Sequence, residues 1–401
     1  MKHLNIIFRV CFSAFLLSLT SLISAQQLPS PPLNNAMDSV EVSLITCGPG
    51  NEVYSLYGHT ALRYRDSRST DVVVNYGLFS FEQDWFILRF LFGITDYRMG
   101  IIPFQPFLEA YQEEGRWVKE QTLNLTAAEK YAIGKAIFTM PESERVYRYN
   151  YFYNNCTTKA RDLVASHLQG TLVYQPCRDK HATFRSMTHQ WNAGFPWSRL
   201  GNDLLLGIQA DRPTSKTEQQ FLPDSLSRDF ATAIIVDTNG SKRQLVSKTT
   251  MLYGADTPTA QTSSHPFTPT LCAWLLFFAT LAVTRGEHNT HKLLWGYDAL
   301  LWVAQGLAGL ILLAMLFSQH PTVRINFQIL IFCPLSLVFA WPVILRLRQH
   351  RLHPYLYAYT LLLFVGIIMG GWQRYDTFVY IVSLSLLTRI ITLHYRYRTK
   401  R

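Results

Sequence analysis

The sequence predicts an α+β extracytoplasmic domain followed by an all-α membrane domain of five transmembrane helices. Three observations predict it. The chain opens on a leader-like stretch, its excess positive charge coincides with its most apolar third, and the cations of that third fall on alternate loops. Residues 1–265 carry 25 basic and 24 acidic side chains, whereas residues 266–401 carry 12 basic and 3 acidic ones. A segment both basic and apolar reads as a membrane domain rather than a nucleic-acid surface. That excludes a simple soluble protein and leaves no expectation of a DNA or RNA partner.

Lys2 and Arg9 flank a short basic region, an apolar run follows over 11–23, and Ile23-Ser24-Ala25 ends in small residues before Gln26-Gln27. This is the pattern of a secretory signal peptide, residues 1–25, cut after Ala25. An uncleaved anchor helix is the alternative; the short core and the Pro-rich polar sequence behind it disfavour that reading. The mature chain then divides into an outer domain (26–254), a polar linker (255–265) and a membrane domain (266–401).

Five apolar segments, roughly 266–284, 293–317, 325–345, 354–371 and 377–394, each approach the ~20 residues that cross a bilayer. Arg285, Lys292, Arg346, Arg348, Arg351, Arg396, Arg398, Lys400 and Arg401 fall on one side, and Arg324 and Arg374 on the other. The positive-inside rule places the first group, with the C-terminus, in the cytoplasm and the outer domain in the periplasm of an inner-membrane protein. The signal peptide gives the same topology independently. Tyr355, Tyr357, Trp372 and Tyr375 sit at span ends as interfacial aromatics. Asp298 and Arg389 lie near cytoplasmic ends, where snorkelling accounts for them.

In the outer domain Val40, Val42 and Leu44 alternate with polar neighbours as a strand does. Residues 61–64 and 72–76 read as two more strands joined by a charged turn. Thr126 followed by Glu129 is a capping box opening a helix that ends before Pro141. A second helix starts near Asn155 and runs over 157–168. Residues 234–246 form a hairpin turning at Thr238-Asn239-Gly240.

The outer domain keeps three cysteines, Cys47, Cys156 and Cys177. An odd number in an oxidising compartment leaves a thiol unpaired. Cys156 is the candidate nucleophile. Asn154 or Asn155 caps the following helix, so Cys156 falls in the first turn, where free N–H groups and the helix dipole favour a thiolate. The same N–H groups, that of Thr157 included, offer an oxyanion site. Of His59, His167, His181 and His189, His59 is the candidate base. It begins a strand just after Gly58, and a Cys on a helix N-terminus facing a His on a strand is a papain-type pairing. The alternative is a hydrogen-bonded core histidine. Asn75, on the next strand, is favoured over Asp66 as the group that orients the imidazole. Tyr57 and Gly58 are the expected substrate contacts. By elimination, Cys47 and Cys177 would form a disulfide. No metal cluster appears and no cofactor is implied. Trp85, Phe86, Phe90 and Phe92 are either membrane contacts or core, with core favoured.

The stretches Thr46-Cys47-Gly48-Pro49-Gly50, Ser55-Leu56-Tyr57-Gly58-His59-Thr60-Ala61-Leu62-Arg63 and Tyr149-Asn150-Tyr151-Phe152-Tyr153-Asn154-Asn155-Cys156-Thr157 resemble the Lnb N-terminal periplasmic domain family. So do Asp203-Leu204-Leu205-Leu206-Gly207, Ala210-Asp211-Arg212-Pro213 and Phe221-Leu222-Pro223-Asp224. The resemblance covers most of 38–250. It implies a permuted papain-like, NlpC-like fold and a Bacteroides-type lipoprotein N-acyltransferase. Such an enzyme moves an acyl chain from a phospholipid, through a cysteine thioester, to the α-amine of a lipoprotein's diacylglyceryl-cysteine. The implied partners are a phospholipid donor, diacylated lipoprotein acceptors and the membrane. Two other classes stay open: a membrane-tethered Cys-His hydrolase (peptidoglycan peptidase or thioesterase), and a non-enzymatic lipoprotein-binding protein.

Overall fold

The computed structural model describes residues 37–79, 84–255 and 266–398. The expected signal peptide, and all of the expected linker but Ala255, lie outside the described residues.

The outer domain is built on a seven-stranded antiparallel sheet. Its centre is β1 (Glu41–Cys47), β2 (His59–Arg65) and β3 (Asp71–Leu78), the three strands expected from alternation. Four further strands, β4 (Asp96–Pro103), β5 (Val118–Leu123), β6 (Val146–Arg148) and β10 (Val246–Tyr253), complete the order β10-β5-β1-β2-β3-β4-β6. Strands β7 (Gly170–Val173), β8 (Ile234–Asp237) and β9 (Lys242–Gln244) form a second, smaller sheet. The hairpin expected over 234–246 thus stops short of its end. Buried Leu245 donates its N–H to Ala233 O, and Val246 crosses to the large sheet.

Eight helices of the outer domain are α1 (Phe86–Leu91), α2 (Phe104–Glu113), α3 (Ala127–Phe138), α4 (Cys156–Ser166), α5 (Phe184–Asn192), α6 (Pro196–Leu205), α7 (Lys216–Gln219) and α8 (Pro223–Thr232). Helix α3 starts where its capping box dictates: Thr126 Oγ1 accepts from Glu129 N, and Thr126 N donates to Glu129 Oε2 at 2.8 Å. Alternation along the central strands splits their side chains between two cores. Val42, Leu44, Leu62 and Val74 pack with α3, α4 and α8. Ile45, Ala61 and Val73 pack with Phe104 and Phe107 of α2. Each fully buried valine, leucine or isoleucine among them contributes roughly 1.5–3 kcal/mol, so β2 and β3 are held rigidly from both sides.

The membrane half contains α9 (Pro269–Thr290), α10 (Trp295–Met315), α11 (Leu335–Arg348), α12 (Pro354–Met369) and α13 (Thr377–Arg398). Four segments are long and apolar enough to cross a membrane, and α12 is shorter at 16 residues. The third segment departs from a continuous helix. Residues 327–330 form a 3-10 turn and the α-helix begins only at Leu335. Side chains from neighbouring helices satisfy the freed backbone: Cys333 N donates to Gln305 Oε1 at 3.0 Å, and Tyr359 Oη donates to Ile331 O at 2.7 Å. Irregular backbone at membrane depth survives only with such partners. Gly309 makes room for it, since a Cβ there would collide with Phe332 O.

Asp298 and Arg389 do not snorkel. Arg389 is 2% exposed and bonds Asp298 at 2.8 and 2.9 Å and Glu287 at 3.1 Å. Two carboxylates from α9 and α10 surround one guanidinium from α13, because an ion removed from water needs partners. Trp372 and Tyr357 are exposed as expected of interfacial aromatics, whereas Tyr355 and Tyr375 are buried and bond Ser336 and Gly366 O.

The two halves are joined by far more than the linker. Buried Arg185 gathers Asp203, Asp211 and Leu206 O at 2.8, 2.8 and 2.9 Å, which fixes residues 203–211. That stretch meets the loop ahead of α11: Gly207 N donates to Thr322 O at 2.8 Å and Ile208 N to Ile325 O at 2.9 Å. Asn326 and Gln373 bond Leu204 O and Leu206 O, and Arg374 N donates to Asp211 Oδ2. The loops that touch the outer domain are those with sparse positive charge, Arg324 and Arg374. Packing thus puts both sparsely charged loops at the end of the helix bundle that meets the outer domain.

Candidate active site

Helix α4 begins at Cys156 because Asn155 stops the preceding turn and caps it. Asn155 Oδ1 accepts from Thr157 N at 3.0 Å and Thr158 N at 2.9 Å, and Thr158 Oγ1 accepts from Asn155 N at 2.9 Å. The loop before it is equally fixed. Asn150 and Asn154 exchange backbone bonds at 3.0 Å, and Asn154 Nδ2 donates to Arg148 O at 2.7 Å. Asn154 braces the turn, and Asn155 is the cap. The cap uses the N–H groups of Thr157 and Thr158. The N–H groups of all three expected oxyanion residues are thus engaged, Asn154 N with Asn150 O, Asn155 N with Thr158 Oγ1 and Thr157 N with the cap, and the cap leaves the N–H of Cys156 itself.

His59 opens β2 opposite Cys47 of β1. Gly58 has φ +77°, and a Cβ on it would lie 2.5 Å from Cys47 O. Only glycine lets the chain turn so tightly into the strand. The close approach at Gly58 is thus to backbone. His59 Nε2 lies 2.7 Å from Asn75 Oδ1 on β3. An amide oxygen only accepts, so Nε2 carries the proton and Nδ1 is left for the thiol.

The structure brings Cys156, His59 and Asn75 together. Burial raises the Cys156 thiol, but the positive charge of His59, its hydrogen bond, the Thr60 N–H and the Thr157 hydroxyl outweigh burial and bring it down to about 7. A thiol poised there is about half ionised at neutral pH while still a good nucleophile. Gly77, two residues past Asn75, has φ +109°; a Cβ would stand 3.8 Å from His59 Cε1 and 3.9 Å from Cys156 Cβ. A side chain there would crowd the space beside the pair.

The other histidines are engaged elsewhere. His167 bonds Leu163 O at the far end of α4, His189 bonds Asp203, and His181 is exposed in a loop. Asp66 accepts three backbone N–H groups of its own turn, from Arg68, Ser69 and Thr70. Tyr57 is a brace: its hydroxyl accepts from Asn202 at 2.8 Å and Asn192 at 3.3 Å, and its ring packs edge-on to Tyr151.

The expected disulfide is not formed. Cys47 and Cys177 are free thiols. Cys47 is buried in β1 among Val73, Phe104 and Phe107, while Cys177 is half-buried in the loop after β7. Burial pushes the Cys47 thiol up to about 12, with Arg116 and the Tyr111 hydroxyl opposing. Elimination failed because it assumed that two spare cysteines must meet, whereas Cys47 packs as a small apolar side chain.

The hydroxyl pairing of Thr60 with Thr157 escaped the sequence reading, which used Thr157 for its N–H alone. Thr60 Oγ1 and Thr157 Oγ1 lie 3.1 Å apart and are both fully buried. A threonine in a strand and one in a first helical turn look like ordinary propensity, so the pairing had no local signal. Among the described residues no three His, Cys, Asp or Glu side chains gather as a metal site.

Residues 33–190 match the Lnb N-terminal periplasmic domain family, and residues 260–401 match the Lnb transmembrane domain family. No curated protein and no solved structure matches the chain.

Proposed function

The chain belongs to the Lnb family, and we propose that it is a lipoprotein N-acyltransferase of the inner membrane working through a Cys156 thioester. The observation that carries this reading is the His59–Asn75 contact of 2.7 Å beside a thiol brought down to about 7.

Cys156 thiolate attacks the carbonyl carbon of a phospholipid ester. The developing oxyanion takes the Cys156 N–H. As the C–O bond breaks, His59 gives its Nδ1 proton to the departing alkoxide of the lysophospholipid. The α-amine of a diacylglyceryl-cysteine then attacks the thioester, neutral His59 takes the proton that nitrogen sheds, and the amide leaves with Cys156 restored as thiolate. Asn75 keeps Nε2 protonated and the ring in place through both halves. Donor and acceptor are both confined to the bilayer, so a site fixed to a membrane domain meets them at high effective concentration.

Mass spectrometry of the N-terminal lipopeptide of an abundant lipoprotein tests this. Cells with the wild-type chain are expected to show three acyl chains and cells with Cys156→Ala two. Identical lipopeptides in both overturn the reading.

A further inference from the structure

The segment 84–93 divides into two faces. Phe86 and Phe90 turn inward: Phe86 stacks on Phe79 at 5.5 Å, and Phe90 packs against Tyr149 at 6.3 Å and His320 at 6.1 Å. Phe79 also stacks on Tyr97 at 4.9 Å, and Tyr97 on Tyr149 at 4.1 Å. Phe79 lies two residues beyond Gly77, which borders His59 and Cys156. A run of packed rings therefore leads from Phe79, two residues past the glycine beside the thiol, to a loop of the membrane domain.

The other face is bare. Trp85 is 76% exposed and Leu88, one turn on, is 47% exposed. Trp85 sits at φ 57°, a left-handed conformation that is costly for a bulky residue. Burial of the indole does not explain that strain.

Helix α1 is fastened at its C-terminal end to the loop that follows α10. Ser318 Oγ donates to Leu91 O at 2.8 Å, Gln319 N donates to Phe92 O at 2.8 Å, and His320 Nε2 lies 3.2 Å from Phe90 O. Helix α10 ends at Met315, and Phe317 between them is 73% exposed. A tryptophan and a leucine at this height, continuous with the outer end of a membrane helix, match the apolar side of the bilayer boundary.

We propose that the face formed by Trp85 and Leu88 sits in the outer boundary of the bilayer and receives the acyl chain of the phospholipid donor on its way to Cys156. This rests on the acyltransferase reading above. An ester carbonyl reaches a thiol outside the hydrocarbon only if its chain is drawn partly out of the lipid, and every methylene crossing open water would oppose that movement. The apolar lip replaces water along the route.

The test uses the full-length protein and its Trp85→Ser/Leu88→Ser variant in vesicles of phosphatidylethanolamine and phosphatidylglycerol. Three rates are read by mass: acylation of Cys156 from the vesicle lipid, acylation by water-soluble p-nitrophenyl butyrate, and transfer to an added diacylated lipopeptide. The variant is expected to lose tenfold or more of the first rate and none of the second. Equal loss of both rates, or loss of neither, overturns the inference while leaving the acyltransferase reading intact. Loss of transfer alone would make the face a docking site for the lipoprotein and overturn it too. A wild-type protein acylated by the butyrate ester but inert to vesicle lipid removes the phospholipid-donor reading itself, and the inference with it.

Discussion

The hydroxyls of Thr60 and Thr157 lie 3.1 Å apart, and each belongs to the residue directly after a member of the His59–Cys156 pair. One buried hydrogen bond thus ties the strand of the base to the helix of the nucleophile. Thr157 Oγ1 also stands 3.8 Å from the Cys156 sulfur.

Thr157→Val keeps the shape and removes the hydroxyl. The partner Thr60 Oγ1 is then buried without a bond, costing about 1–3 kcal/mol of stability. The thiol also loses one of the groups that lower it. Its titration midpoint is expected to rise above about 7, and its iodoacetamide rate at neutral pH to fall severalfold. Thr157→Ser should behave as wild type. A valine variant with the wild-type alkylation profile would show the hydroxyl pair to be incidental.

Activity should follow the thiolate. Below about 7 the sulfur takes a proton, and the rate of thiol acylation falls about tenfold per pH unit. The charge of His59 is the largest influence lowering the thiol, so His59→Ala should move the midpoint up toward the ordinary thiol range. An alkylation profile unmoved by that substitution would separate the two residues.

Asn75→Ala frees the imidazole to rotate and to change tautomer. Turnover is expected to drop by at least tenfold, within the roughly 10²–10⁴ that a positioned acid–base group supplies. Asp66→Ala, which touches only its own turn, should leave turnover unchanged. Comparing kcat for the two variants decides which residue orients the ring.

Arg389→Met strands Asp298 and Glu287 inside the helix bundle. A broken buried ion pair costs about 3–5 kcal/mol, so the melting temperature in detergent should fall clearly. Arg389→Met combined with Asp298→Leu and Glu287→Gln should recover most of the loss. A single variant as stable as wild type would show that water already reaches the cluster.

Denatured protein held without reductant should yield free thiols at Cys47, Cys156 and Cys177, all three labelled by alkylation before digestion. A peptide pair joined through Cys47 and Cys177 would reverse the assignment.

The parts of the site with local signatures were legible in the sequence. Cys156 followed a capping asparagine, His59 followed a glycine at a strand start, and Asn75 lay one strand away. Each of those cues is a short-range demand of the backbone. Thr60 and Thr157 are 97 residues apart and carry no such cue. The contacts of residues 203–211 with residues 322–328 were invisible for the same reason, although Gly207 proves obligatory there because a Cβ would collide with Ile325 O. Composition placed the third apolar segment but hid its break, since apolar residues read alike in a helix and in a turn braced by Gln305 and Tyr359. Asp298 and Arg389 were misjudged because each was considered alone, while the partner Glu287 sits on a third helix.

The backbone bonds from Gly207 to Thr322 and from Ile208 to Ile325 have a bearing on how the enzyme would meet its lipids. A domain hung from a flexible tether samples a range of heights above the bilayer. Here the thiol belongs to a domain that shares main-chain bonds with the loop between α10 and α11. Its altitude is set by the fold, so under the proposed acyl transfer the search for donor and acceptor would collapse to lateral diffusion in the plane of the leaflet. Encounter frequency then scales with lipid surface density rather than with bulk concentration, and a substrate is selected partly by how far its reactive group projects.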